Sequence, residues 1–351
     1  VYRMGLGHRY GRRMQTISGI HYNWSLQGLN TQDYFAIIRN FRRQFFVLLY
    51  LFGASPAVSK CFVQGRNHAL QKLSEDTLYL PFATSLRMGK LGYQSEAQAS
   101  IAASFNHLEA YAASLEKALT QDYPQYEKIG IQNLGGEYNQ LATSLLQIEN
   151  EYYSLVRPKQ VPQAGETPSQ ALKNRGVGYV ELRAVDVNPY SAIGIDEISA
   201  GFLESLALYC LLQDSPDLFA EEQEQIDHNQ TEVVNRGRAA DAKIQDGQTT
   251  VSLQDWAQRH LNAIQDCAIL LDQMDGSALY REAIQVMQQR LDHVENTLSA
   301  HVIKDTLDNG GTWNFGSVMA QQHVNRYEQH QLSAEREQYF AQLAQTSLQK
   351  Q

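Results

Sequence analysis

The chain has 351 residues, is 43% apolar and carries a net charge of −9, enough apolar material for one large mixed unit or for two to three domains. The acidic balance argues against a general binder of nucleic acid or anionic membrane. Three scattered cysteines, Cys61, Cys210 and Cys267, form neither a disulfide framework nor a paired-cysteine metal site and suit the reducing cytoplasm. The opening residues, Val1 to Leu6, lack the apolar core of a secretion signal. The one long apolar run, Tyr34 to Phe52, contains Arg39, Arg42 and Arg43. At about 2.5–3.5 kcal/mol per charge at a bilayer centre, it reads as a buried helix rather than a membrane span.

Residues 1–15 are basic and glycine-punctuated, but Gly5, Gly7 and Gly11 miss the dinucleotide-binding spacing and follow no strand. Met14 to Ser25 is expected to be a strand with Gln15, Ile17, Gly19, His21 and Asn23 on one face. Gly19 there clears space beside His21. Asn30 or Thr31 caps a helix from about Gln32 to Phe52, ended by Gly53 and Pro56. A polar loop, Gly65 to Asp76, leads to a short β-like piece, Tyr79 to Ser85, and a loop-rich stretch bearing Arg87 and Tyr93. The spacing of Ile101, Phe105, Leu108, Tyr111 and Leu115 predicts a helix from Ser95 to about Thr120. Gly135-Gly136 suggests a hairpin between Lys128–Asn133 and Tyr138–Tyr153, which would turn Glu149, Glu151 and Tyr153 one way. Arg157-Pro158-Lys159 opens a loop to Ser169, long enough for a mobile flap.

Gly178 to Pro189 alternates, with Val180, Leu182 and Ala184 on one parity and Tyr179, Glu181, Arg183 and Val185 on the other. This is a strand that puts Glu181 and Arg183 side by side. Asp196 to Gln213, a capped helix from Ser252 to Met274, Tyr280 to Ile303 and Ala320 to Gln349 make the C-terminal third helical. The expected division is a sheet-containing catalytic region, 1–190, with a helical region, 191–351, packed on it as one integrated catalytic domain. By residue type alone, Glu181 with Arg183 is either an ion pair or a site, and His21 either a hydrogen-bonded structural residue or a ligand. Arg157 and Lys159 either grip phosphate or sit solvated, and Arg87 either pairs structurally or holds a carboxylate. No P-loop, HExxH or GxSxG motif occurs.

The blocks MQTISGIHYNWS, YLFGASPAV, YLPFATSLRMGKLGY, LLQIENEYYSLVRPK, GETPSQAL and GYVELRAVDVNPYSAIGID closely resemble, in order, blocks of bacterial glutamate–cysteine ligase. The resemblance covers roughly residues 1–215 and implies an α+β fold: a curved antiparallel sheet, a funnel like that of glutamine synthetase, flanked by helices. It implies ATP-dependent ligation of L-glutamate to L-cysteine through γ-glutamyl phosphate, the first step towards glutathione, with Mg²⁺ or Mn²⁺. It places His21 and Glu181 at a metal site and Arg183 at the transferring phosphoryl group. Tyr2, Leu6, Gln15, Tyr93 and Tyr153 fall at the cysteine pocket, Arg3 and Arg87 at the glutamate, and Arg157 and Lys159 near the nucleotide. It implies glutamate, cysteine and ATP as partners, glutathione as feedback inhibitor, a monomer, and no nucleic acid or membrane. The family also carries an N-terminal acidic strand that supplies metal-binding carboxylates, whereas no acidic residue occurs between Val1 and Asn30. The expectation is thus a ligase lacking that segment. The alternatives are a non-catalytic or incomplete ligase fragment, or a related carboxylate–amine ligase with another amine.

Overall fold

The structure, a computed structural model, describes residues 1–92 and 96–350. Helix α1 (Tyr2–Tyr10) and a 3₁₀ turn (Arg12–Thr16) precede β1 (Ile20–Trp24), α2 (Thr31–Gln44) and α3 (Phe46–Phe52). Short pieces follow: β2 (Ala57–Ser59), α4 (Lys60–Val63), β3 (Gln71–Lys72), β4 (Thr77–Tyr79) and a 3₁₀ turn (Leu86–Met88). Then come α5 (Glu96–Ala99), α6 (Leu108–Thr120), α7 (Pro124–Ile129), a 3₁₀ turn (Glu149–Glu151), β5 (Val156–Lys159), α8 (Pro168–Arg175) and β6 (Tyr179–Val185). The remainder is α9 (Glu197–Leu212), α10 (Ala220–Arg236), β7 (Lys243–Asp246), β8 (Thr249–Ser252), α11 (Leu253–Asp275), α12 (Leu279–Asp292), α13 (Leu298–Asp308), α14 (Thr312–Glu328) and α15 (Ala334–Gln349).

The apolar run folds as its caps dictate. Asn30 accepts from the backbone of Gln32 and Asp33 while Asp33 accepts from Asn30 N, a reciprocal box that satisfies otherwise orphaned donors. One irregular turn at Phe45 divides α2 from α3, and Phe41, Phe45, Val47, Leu48 and Leu49 are fully buried. Each such side chain stabilises the fold by about 1.5–3 kcal/mol. The arginines that spoke against a membrane span face protein. Arg39 donates to Ser215 Oγ and to the carbonyls of Asn106 and Ser215, and Arg42 stacks on Phe105. Among the described residues no helix is long and apolar enough to cross a membrane.

The principal sheet is antiparallel in the order β1-β6-β5, with β6 central, and helices cover its apolar face. Val180, Leu182 and Ala184 enter the core, leaving Glu181 and Arg183 opposite. The register sets Asn23 and Arg157 beside Glu181, and an irregularity between Ile20 and Tyr22 re-aims the start of β1. The mixed, helix-flanked antiparallel architecture is the α+β class expected.

Several local expectations are corrected. The first strand begins at Ile20, because Arg12–Thr16 closes into a 3₁₀ turn. Of the Tyr79–Ser85 piece only Tyr79, the end of β4, lies in a strand, and Ser85 makes a single parallel bridge to Ser55. The helix over Ser95–Thr120 is broken after Ala99 and restarts at Leu108, where the His107 ring caps Ala110 N. The Gly135-Gly136 hairpin is reduced to one bridge, Gln132 with Tyr138, as Pro124 starts a helix instead. Arg157-Pro158-Lys159 is not in a flap but in edge strand β5, where a proline is tolerated. The loop beyond it is tied by Glu166, which pairs with Arg175 and accepts from Gln163 N. The β7–β8 hairpin, turning at Gly247, had no counterpart in the sequence reading.

Candidate active site

The polar face of β6 is built by strand parity. Arg183 Nε donates to His21 Nε2 at 3.1 Å, so the imidazole proton resides on Nδ1, which faces Glu181 Oε1 at 3.7 Å. Burial, then the nearby Arg183 charge, lowers the His21 pKa, keeping the ring neutral at neutral pH. Glu181 Oε2 lies 3.7 Å from Arg183 Nε and 4.0 Å from an Arg157 nitrogen. Among the described residues, neither Glu181 Oε2 nor Arg157 Nε, both buried, has a hydrogen-bond partner. A buried polar group without a partner costs about 1–3 kcal/mol, so a ligand that supplied the missing partner would be held there. The Arg157 fork is aimed by the carbonyls of Tyr152 and Asn150. The Arg183 guanidinium stands 4.9 Å from the centre of the Tyr153 ring, a cation–π contact.

Arg183 and Arg157 form one side of a cleft of about 410 Å³. Tyr2, Arg3, Leu6 and Tyr10 of α1 also line it, as do Gln15, Ile17, Gln98, Glu151 and Tyr153. Of the residues singled out in the sequence, Tyr2, Arg3, Leu6, Gln15, Tyr153, Arg157 and Arg183 therefore converge, and His21 and Glu181 adjoin them through Arg183. Tyr93 lies outside the described residues. Lys159 is two residues along β5, half-buried, its ammonium pKa lowered by burial. Arg87 is not on the cleft surface. Its Nε donates to Asp186 Oδ1 at 2.6 Å, and its guanidinium packs so tightly on Gly19 that a Cβ there would stand 2.5 Å from it.

Glu149 and Glu151 do not face one way, because the chain there is a 3₁₀ turn rather than a strand. Glu149 accepts from Ser169 N and Oγ, while Glu151 accepts from Arg9 and Tyr10. Asp186, Gln98, Tyr10 and Arg9 were missed as contributors. Asp186 receives Ser85, Arg87, Ser55 and Ala54 N, from segments far apart in sequence, so no local pattern could announce it.

Among the described residues no group of three His, Cys, Asp or Glu side chains is placed to hold a metal ion. Mg²⁺, however, is commonly held by one or two carboxylates, with phosphate oxygens and water completing the shell. The unpartnered Glu181 Oε2 fits that pattern. His21 fits once Nε2 is released by Arg183.

A sequence model of the family described as glutamate-cysteine ligase matches residues 1–233. The glutamate–cysteine ligase of Pseudomonas putida is 44% identical over 99% of this chain and 70% of that protein. That of Hahella chejuensis is 42% identical over 99% of this chain and 70% of its own length. The crystal structure of glutamate–cysteine ligase from Francisella tularensis, in complex with AMP, superposes with a TM-score of 0.88 at 33% identity. The match covers 95% of this chain and 68% of that one. A bifunctional glutathione synthetase from Pasteurella multocida shares the fold at a TM-score of 0.67 and 21% identity, over 92% of this chain and 38% of that one.

Proposed function

The chain belongs to the glutamate–cysteine ligase family, and from that premise we propose that its cleft joins the γ-carboxylate of glutamate to the amine of cysteine at the expense of ATP, the first step of glutathione synthesis. The terminal phosphoryl group of ATP passes to a carboxylate oxygen, giving γ-glutamyl phosphate and ADP. The cysteine amine then attacks the acyl carbon, sheds a proton, and phosphate leaves. The AMP held by the Francisella tularensis relative supports a nucleotide in this fold.

One observation carries the reading: a fixed guanidinium, Arg183, and an adjoining buried carboxylate with an open oxygen, Glu181, stand beside an aromatic-lined cleft. Phosphoryl transfer spreads negative charge over equatorial oxygens, and a guanidinium already held in place neutralises it without reorganisation. Arg183 takes that role, Arg157 and Lys159 receive the nucleotide phosphates, and Arg3 receives glutamate. Tyr2, Leu6, Gln15 and Tyr153 surround the cysteine. Mg²⁺, or Mn²⁺, would be held by Glu181 and His21 together with phosphate oxygens and would screen the phosphate charge. A cytoplasmic monomer inhibited by glutathione completes the proposal.

The test is an end-point assay with glutamate, cysteine, ATP and Mg²⁺, read by mass spectrometry and ADP release. Equal amounts of γ-glutamylcysteine and ADP are expected. ADP without that product, or preferential consumption of 2-aminobutyrate over cysteine, would overturn the substrate assignment.

A further inference from the structure

We infer that Arg9, with Gly5, is the positioning device of the cleft: it seats α1 so that Tyr2 and Leu6 form the wall met by the amine substrate, an inference that rests on the function proposed above. Helix α1 has little of its own to hold it. It has nine residues, two of them the weak helix formers Gly5 and Gly7, and only Gly5 is buried, backbone and all. Its place must come from tertiary contacts. Tyr2, Leu6 and Tyr10, four apart, form the stripe that faces the cleft. Gly5 and Arg9, also four apart, form the neighbouring stripe, which docks on the segment 140–151.

The Arg9 side chain is fully buried and uses every edge of its fork. Nε donates to Gln140 Oε1 at 2.9 Å, Nη1 to Leu145 O at 3.4 Å and Glu151 Oε1 at 3.2 Å, and Nη2 to Ala142 O at 2.5 Å. The guanidinium also lies 4.1 Å from the centre of the Tyr126 ring. Gly5 sets the depth of docking, because a Cβ there would stand 2.1 Å from Gln147 Oε1. That oxygen is held by Leu141 N at 3.0 Å and cannot swing aside without losing the bond.

The docking continues to Tyr153, another residue of the cleft lining. Glu151 Oε1 also accepts from Tyr10 OH at 2.7 Å, Gln98 Nε2 donates to Tyr10 OH, and Tyr153 N donates to Gln98 Oε1. Tyr153 is the ring on which Arg183 rests. Arg9 itself does not line the cleft, so it is a positioning residue and not a catalytic one.

Deleting the charge would strand buried Glu151, so the informative variants are milder. Arg9→Lys keeps the charge but cannot reproduce the fork, and Gly5→Ala lifts the helix. Both are expected to raise the KM for cysteine about tenfold or more, with the KM for ATP within about twofold of the parent. Hydrogen–deuterium exchange should quicken in α1 and stay unchanged in β6. Gln147→Ala, which removes the clashing oxygen, should restore cysteine affinity to Gly5→Ala. Unchanged α1 exchange in both variants, or equal shifts of all KM values in folded protein, would overturn the inference. If the parent protein consumes no cysteine, the function proposed above fails, and α1 exchange still decides whether Arg9 and Gly5 seat the helix.

Discussion

Arg183 is held from two directions, by His21 Nε2 at its Nε and by the Tyr153 ring beneath its guanidinium, with the Glu181 carboxylate within ion-pair reach. This preorganisation is what makes a single guanidinium effective against charge that appears only in the transition state. Arg183→Ala is therefore expected to lower kcat by about 10³-fold or more. Arg183→Lys should recover little of it, because an ammonium replaces a fork with a point charge. Steady-state kinetics on both variants checks this, and near-parental turnover of Arg183→Ala would remove Arg183 from the chemistry. His21, Glu181 and Arg183 were legible as candidates from strand parity, which set Glu181 beside Arg183 but could not say that His21 meets them. Arg87 shows the reverse: residue type left it either a structural pair or a carboxylate contact, and the structure gives it a buried partner, Asp186, that no local spacing pointed to.

The elements read best where a cap coincides with a periodicity. Asn30 and Gly53 bracket α2 and α3, Asp196 opens α9, and Ser252 opens α11, each through a side-chain bond or turn visible in the sequence. They read worst between residues 95 and 160, where 3₁₀ turns and single bridges are held by side-chain bonds from distant residues, such as Gln140 to the carbonyls of Tyr126 and Gly130. The loop between β5 and α8 carries its own testable tie. Hydrogen bonds from Arg175 and from Gln163 N pull the Glu166 pKa from 4.5 to about 2. Its contribution to stability is thus fully present above about pH 4.5 and is lost as the pH falls towards 2. The melting-temperature advantage of the parent over Glu166→Gln should hold from pH 7 down to about 5 and shrink steadily below 4.5. An advantage that does not change between pH 7 and pH 3 would exclude this carboxylate as its source.

At the scale of the whole molecule, one apolar core joins the region before residue 190 to the helices after it. Phe52 of α3 meets Phe202 of α9 at 5.4 Å between ring centres, and Tyr22 of β1 donates to Glu204 of α9 at 2.6 Å. We therefore expect regions 1–190 and 191–351 to unfold together. Phe202→Ala, at a fully buried position, should cost about 3–5 kcal/mol and move a single transition, read alike by tryptophan fluorescence and far-ultraviolet circular dichroism. Two separated transitions would show that the regions are independent. The sequence by itself determined the capped helices, the alternation of β6, the α+β class and, through its ordered blocks, the family. Those signals are local: a hydrogen bond to the next turn, or side chains two apart on a strand. Only the tertiary structure decided which polar groups share a space. It set Arg183 against His21, buried Arg9 with Glu151 and closed Asp186 on Arg87. Each of these contacts joins residues about 100 or more positions apart, and such a contact is fixed by packing of the core, not by neighbours in the chain.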